Sequence, residues 1–324
     1  MIGRYLVKRL ATTLVIFFVI LNFQFLFLWV LNPINPVQWV MDPNFTPEVA
    51  ATLARNYGID QPLYVQYYKY LSNMLTLNLG VSFRTQRPVS ESLIDYLPYT
   101  LALVLTAMIF QIIIGITIGL YAASKRGKLI DIFATGSGLL MYATPSFLVL
   151  LLFRYVFAEQ LGWFPVIGTI FSSPNNIALY LGEYLYRIAL PVITLVCIGF
   201  GSWAFYTRNL SIDVLTQDYI QTARAKGTDG KKVMLKHVFP AILPPIVTRI
   251  VISFPEILFG SIVTEYIFTW KGIGWWYMNS IWTGDYPSAQ ALFYIFTILL
   301  LVGNLLADVL YGFLDPRVRV GTRR

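Results

Sequence analysis

Apolar residues run through this chain in long unbroken blocks, not in the alternation of a half-buried strand. Crossing about 30 Å of hydrocarbon takes roughly 20 residues with few charges, and six blocks suit that length. The first runs from Leu10 to Leu31. Three more lie between Asp95 and Lys125, between Asp131 and Arg154, and between Arg187 and Arg208. The fifth, from Ile242 to Phe268, carries Arg249, Glu256 and Glu265, and the sixth lies between Asp285 and Asp308. The pattern predicts an all-α integral membrane protein of about six transmembrane helices. Residues 160–182, with Trp163, Pro165, Pro174 and Asn175-Asn176, read as a loop with short surface helices. The first block is longer than the apolar core of a cleavable leader, about 7–15 residues, and no small-x-small site follows it. Asn32-Pro33 ends it, so it reads as a retained span.

The polar intervals divide the chain further. Residues 1–9 form a short N-terminus, 10–31 the first span, and 32–96 a large loop. A five-helix core follows over 97–313, with a basic loop at 213–240, and a basic tail closes the chain at 314–324. Within the large loop, Thr46-Pro47-Glu48 suits a helix start and Gly58 a helix end, with Val49, Leu53 and Tyr57 between them. A second short helix is predicted from Asp60-Gln61-Pro62, with Val65, Tyr68 and Leu71 on one face. Such helices suit the outer membrane surface or a cap on a channel.

Composition sharpens this picture. Hydrophobic residues make up 57% and charged residues only 12%, against about 25% charged in soluble domains. The net charge of +8 becomes informative once placed on loops. With the N-terminus inside, sixteen Lys and Arg fall on inner segments and seven on outer ones, four of those seven in the long loop where the positive-inside rule barely counts them. Both termini are therefore expected in the cytoplasm of a multi-pass cell-membrane protein. Topology accounts for the basic surplus, so nucleic acid is not expected as a partner. Cys197 reads as a small buried hydrophobe. His237 is the single histidine, which leaves no His-based metal cluster. Neither a phosphate-binding loop nor the signatures H-E-x-x-H and G-x-S-x-G occur, so no catalytic residue and no cofactor is expected in this chain.

The loop between the fourth and fifth spans is the most informative. It reads Asp218-Tyr-Ile-Gln-Thr-Ala-Arg-Ala-Lys-Gly227, then Thr228 to His237, then Val-Phe-Pro240. The pattern predicts a short helix, a glycine turn and a second short helix. Ala223 and Ala225 allow close approach of another surface, Gly227 permits positive φ, and Thr228 or Asp229 can cap the second helix. Val233, Met234, His237 and Val238 fall on one side of it. This hairpin suits docking to a soluble partner, although the positive-inside rule alone also explains a basic loop here.

Ala223, Gly227 and Pro240 stand at the spacing of the "EAA" signature of ABC importer permeases. Tyr219-Ile-Gln-Thr-Ala-Arg-Ala-Lys-Gly227 closely resembles the form in the dipeptide/oligopeptide/nickel permease family, where a polar residue and Thr-Ala replace the triplet. His237 and Pro245 match that family as well. So do Tyr5–Leu10, Tyr57–Tyr67, Leu79–Pro88, Glu265–Gly274, Asp285-Tyr-Pro287 and Asn304–Arg317, in order along nearly the whole chain. Departures are Pro240, uncommon in this family, Lys271 for a usual proline, and Gly284 where arginine is common.

The resemblance implies a type I ABC importer permease fold, forming half of a translocation pathway for peptides. Its implied partners are a second homologous permease, two cytoplasmic ATPases that carry ATP and Mg, an extracytoplasmic solute-binding protein and membrane lipid. Tyr219, Thr222, Ala223, Arg224, Ala225, Gly227, His237 and Pro240 would then form the ATPase-coupling loop. Oligosaccharides or nickel are alternative cargoes, and a secondary transporter or channel is the rival of another class. Glu256 sits about half a span from either end, where an ionised side chain is costly. It either lines the pathway or pairs with Arg249, two turns away on the same face. Glu265 and Asp285, at span ends, are expected to brace the outer side rather than bind substrate.

Overall fold

A computed structural model describes residues 2–27, 48, 51, 55, 61–168 and 177–314, with side chains described from Leu6 to Val309. The expected helix over Thr46–Gly58 lies outside the described residues, apart from isolated positions. Two compact units emerge. The first comprises residues 1–95 and 280–305, the second residues 96–279 and 306–324.

In the first unit, helix α1 (Ile2–Phe25) packs with α2 (Leu63–Leu75). The contact is built from tyrosines. Tyr70 donates to the Leu21 carbonyl at 3.1 Å and Tyr67 to Asn22 Oδ1 at 2.6 Å, while the Phe25 ring lies 5.1 Å from Tyr67 and 5.4 Å from Tyr70. The buried face of α2 is therefore Tyr70 and Met74. This is rotated from the expected Val65–Tyr68–Leu71 face, of which Tyr68 is 73% exposed. Tyrosines occupy both faces of α2, so apolar spacing alone selects neither. A tight turn follows. Val81 bridges to Pro88, Gly80 takes φ +79° and Gln86 φ +53°.

The second unit is a helical bundle. It holds most of α3 (Val89–Ser124), then α4 (Leu129–Ala143) and α5 (Ser146–Phe153), which runs into a wider π-helical stretch at Arg154–Gln160. Then come α6 (Ile177–Leu215), α7 (Asp218–Ala225), α8 (Gly230–Val233) and, through a π-helical turn at Met234–Val238, α9 (Phe239–Ile267). Most of α10 (Ile273–Trp282) completes it, and α11 (Tyr286–Leu314) contributes to both units.

Five described helices are long and apolar enough to span a membrane, and a sixth span arises if α4 and α5 with its π-helical stretch count together. That pair differs from the straight span expected between Asp131 and Arg154, because it bends by 99°. The cause is Pro145. It lacks an N–H and pushes the preceding residue out of helical space, and Thr144 sits at φ −76°, ψ 131°. At the other side of this pair, α6 starts ten residues before the expected Arg187.

Glycines let α4 and α6 meet backbone to backbone. A Cβ on Gly138 would lie 2.6 Å from the Gly201 Cα, so only glycine permits this spacing. Two polar features tie down the helix ends. Glu265, fully buried, accepts from the Gly274 N–H at 2.8 Å and the Trp275 N–H at 3.1 Å. Trp270, also fully buried, donates from Nε1 to the Tyr99 carbonyl at 2.9 Å. In the first unit, Asp285 plays the corresponding part for the 80–88 turn. Oδ2 accepts from Ser82 Oγ at 2.6 Å and Oδ1 from the Phe83 N–H at 2.9 Å.

Candidate functional site: a basic hairpin and a membrane cavity

The sequence folds locally as its turn chemistry dictates. Helix α7 ends where Gly227 takes φ +80°. The Gly227 N–H bonds to the Arg224 carbonyl at 2.9 Å, and the Thr228 N–H to the Ala223 carbonyl at 3.2 Å. Asp229, rather than Thr228, caps α8, its Oδ2 accepting from the Lys231 N–H at 3.2 Å. Val233, Met234 and Val238 are buried as the spacing requires, while His237 is half-buried at their edge. Sequence reasoning missed Ile220. It is fully buried, and it joins Val233, Val238, Ile242 and Trp203 in one apolar cluster. A single branched aliphatic residue in an otherwise small and polar eight-residue helix is the signal that marks it.

This cluster leaves the rest of the hairpin outward. Tyr219, Thr222, Arg224, Ala225, Gly227 and Pro240 are exposed, and Ala223 is half-buried. Lys226, Lys231, Lys232 and Lys236 share that exposure. The small residues and the glycine turn thus form a low, basic surface held from beneath by an apolar anchor.

From Gly230 to Ile267 the backbone is one continuous 38-residue helical path. Farther along it a cavity of about 260 Å³ opens among α3, α4, α5, α6 and α9. Its lining includes Gln111, Tyr142, Ser202, Arg249, Ser253 and Glu256, with apolar walls from Leu150, Leu195 and Ile198. Arg249 and Glu256 also line an adjoining cavity of about 420 Å³. The Arg249 guanidinium lies over two aromatic faces, 4.9 Å from the Trp203 centroid and 4.4 Å from the Tyr206 centroid, and it donates to Ser202 Oγ. Arg249 and Glu256 do not form an ion pair with each other. Glu256 is exposed to the cavity. The structure thus brings Arg249 and Glu256 to one cavity without joining them, while Glu265, outside that lining, braces the backbone at Gly274 and Trp275, and Asp285 of the first unit braces the 80–88 turn.

A buried pair escaped the sequence reading. Asp131 on α4 is 3% exposed. It receives Arg208 of α6 on both carboxylate oxygens, with Nη2 to Oδ2 at 2.7 Å, and the Gly127 N–H at 2.9 Å.

An all-helical polytopic membrane protein, with a cavity inside its bundle and a basic hairpin between two spans, has the architecture of a transport permease. Residues 115–320 match the family described as binding-protein-dependent transport system inner membrane component, and residues 1–104 match its N-terminal counterpart. The chain belongs to this family. It is 36% identical to the oligopeptide transport system permease protein AppB of Bacillus subtilis (strain 168), over 88% of this chain and 90% of that one. It is 33% identical to the dipeptide transport system permease protein DppB of Alkalihalophilus pseudofirmus, over 89% and 91%. With the glutathione transport system permease protein GsiC of Salmonella paratyphi A it shares 32% over 97% and 98%.

Proposed function

We propose that this chain forms half of the translocation pathway of an ATP-driven importer of short peptides. Its relatives named for oligopeptide, dipeptide and glutathione transport support the cargo class. The observation that carries the mechanism is the continuous helical path from the exposed hairpin to the cavity. A second, homologous permease closes the pathway, a solute-binding protein delivers cargo from outside, and two ATPases dock on the 213–240 hairpins from the cytoplasm. Both termini then face the cytoplasm, in line with the basic residues on α7, α8 and the 125–128 turn.

The hairpin works as the mechanical input. Closure of the ATPases on ATP displaces α7 and α8, and α9 carries that displacement to Arg249 and Glu256. Such a shift needs cargo and ATP to bind the inward-open and outward-open states with different affinity. Glu256 lines the pathway in this reading. The test is reconstitution of the chain with its permease partner, ATPases and binding protein in vesicles. ATP-dependent uptake of labelled di- to pentapeptides is the expected result. Uptake of oligosaccharides in place of peptides would replace the cargo class and leave the permease role intact.

A further inference from the structure

Arg249 and Glu256 are opposite charges on one helix, both facing the same two cavities, and they do not pair with each other. An ionisable group at mid-span depth is costly unless it faces a partner or a watery cavity. Burying a cation without satisfying it is costlier still. The structure meets part of that cost for Arg249 with two aromatic faces and the Ser202 hydroxyl. A guanidinium carries five N–H donors in a planar fork, and among the described residues only the bond to Ser202 is made. The remaining edge is free to hold a carboxylate in a bidentate grip. Glu256 offers acceptor oxygens to an ammonium, and no hydrogen bond within the described residues engages them.

Seven residues of α-helix separate the two positions by ~10 Å along the axis. An extended peptide advances about 3.3–3.6 Å per residue, so roughly three residues fill the interval. A short peptide at neutral pH is itself a zwitterion, an ammonium at one end and a carboxylate at the other. Apolar walls at Leu150, Leu195 and Ile198 leave its side chains without specific demands.

We propose that Arg249 and Glu256 form a zwitterion clamp in the permease, Arg249 taking the C-terminal carboxylate and Glu256 the N-terminal ammonium of a short peptide in transit. This deepens the peptide-importer reading and rests on it. It makes the permease itself, and not only the binding protein, a reader of free peptide termini.

The test uses the permease–ATPase complex in lipid nanodiscs without the binding protein. It is titrated with labelled trialanine, Nα-acetyl-trialanine and trialaninamide. Acetylation should weaken binding roughly tenfold in the wild type and in Arg249→Gln, and should make no difference in Glu256→Gln. Amidation should show the mirror pattern, mattering in Glu256→Gln and not in Arg249→Gln. Arg249→Lys should keep the sensitivity to amidation, which a role limited to packing on Trp203 and Tyr206 would not. The swapped pair, Arg249→Glu with Glu256→Arg, should restore recognition of trialanine and serves where a single variant fails to assemble. Equal sensitivity to blocking in every variant would overturn the clamp, as would absence of trialanine binding to the wild-type complex. Failure of the underlying reading looks different. There the complete wild-type importer shows no ATP-dependent uptake of unblocked peptides, whereas failure of the clamp alone leaves that uptake intact.

Discussion

Arg208 grips Asp131 with two parallel arms, joining α6 to the start of α4 across 77 residues of sequence. The side chains are 20% and 4% exposed. Removing one partner of so enclosed a pair strands the other charge, which costs about 3–5 kcal/mol. Asp131→Asn is therefore expected to lower the thermal midpoint of the purified protein by several degrees. Adding Arg208→Gln should recover part of the loss, because the stranded cation goes too. Thermal unfolding followed by fluorescence checks this, and a double variant no better than the single would show that the loss comes from the missing bonds and not from a stranded cation.

The hairpin gives a prediction with an internal control. Gly227 sits at φ +80° with nothing within 4 Å of an added Cβ. Substitution there is a matter of backbone strain, not collision. Gly227→Val should cost about 1–2 kcal/mol of local strain and abolish peptide-stimulated ATP hydrolysis in vesicles, with normal membrane insertion. Gly227→Asn, which tolerates left-handed backbone better, should retain a substantial part of it. Ala223→Trp places bulk on the proposed docking face and should reduce co-purification of the ATPases. Full coupling in the Val and Trp variants would remove this hairpin as the docking element.

Orientation is open to direct chemistry. With Cys197 replaced by serine, single cysteines at Lys128 and Gly230 should resist impermeant maleimide in intact cells. A cysteine at Thr85, exposed on the tight turn of the first unit, should be labelled. Labelling of position 230 from outside would invert the topology.

Asp285 and Ser82 provide a stability test within the first unit. Asp285 is 3% exposed and takes both the Ser82 hydroxyl and the Phe83 N–H. Asp285→Asn weakens charge-assisted bonds and should cost about 1.5–3 kcal/mol, Ser82→Ala about 1 kcal/mol. The double variant should lose little beyond Asp285→Asn, since both act on one contact. Faster protease nicking at Arg84 and Arg87, on the released turn, is the readout.

What could be read in the sequence followed its physics closely. Spans are additive properties of composition, so hydropathy found them. The hairpin was legible because glycine, an Asx cap and buried valines act within a few residues of one another. Three features were not legible. The 99° break at Pro145 lies inside an uncharged run, and a kinked span has the same composition as a straight one. The exposed and buried faces of α2 both carry tyrosines, so its orientation rests on Asn22, Leu21 and Phe25, residues of another helix. Asp131 and Arg208 each looked like the charged end of a span, and only the fold brings them together. The Arg249–Glu256 question was correctly posed by spacing. Its answer needed the positions of Trp203, Tyr206 and Ser202, which hold the guanidinium from a different helix.

The unbroken helical path from Gly230 to Ile267 also fixes a phase. Each residue along its α-helical part, Phe239–Ile267, turns the following side chains by about 100° and advances them 1.5 Å. The direction in which Glu256 points is thereby geared to the direction in which Lys231 and Lys232 point, like teeth on one shaft. Inserting one residue between Pro240 and Arg249 would leave the hairpin, the cavity walls and every contact residue chemically unchanged. It would nevertheless swing both charges off the cavity, and four inserted residues, close to a whole turn, would bring them nearly back. Length between the hairpin and the charges is thus as much a specified quantity in this protein as the identity of either.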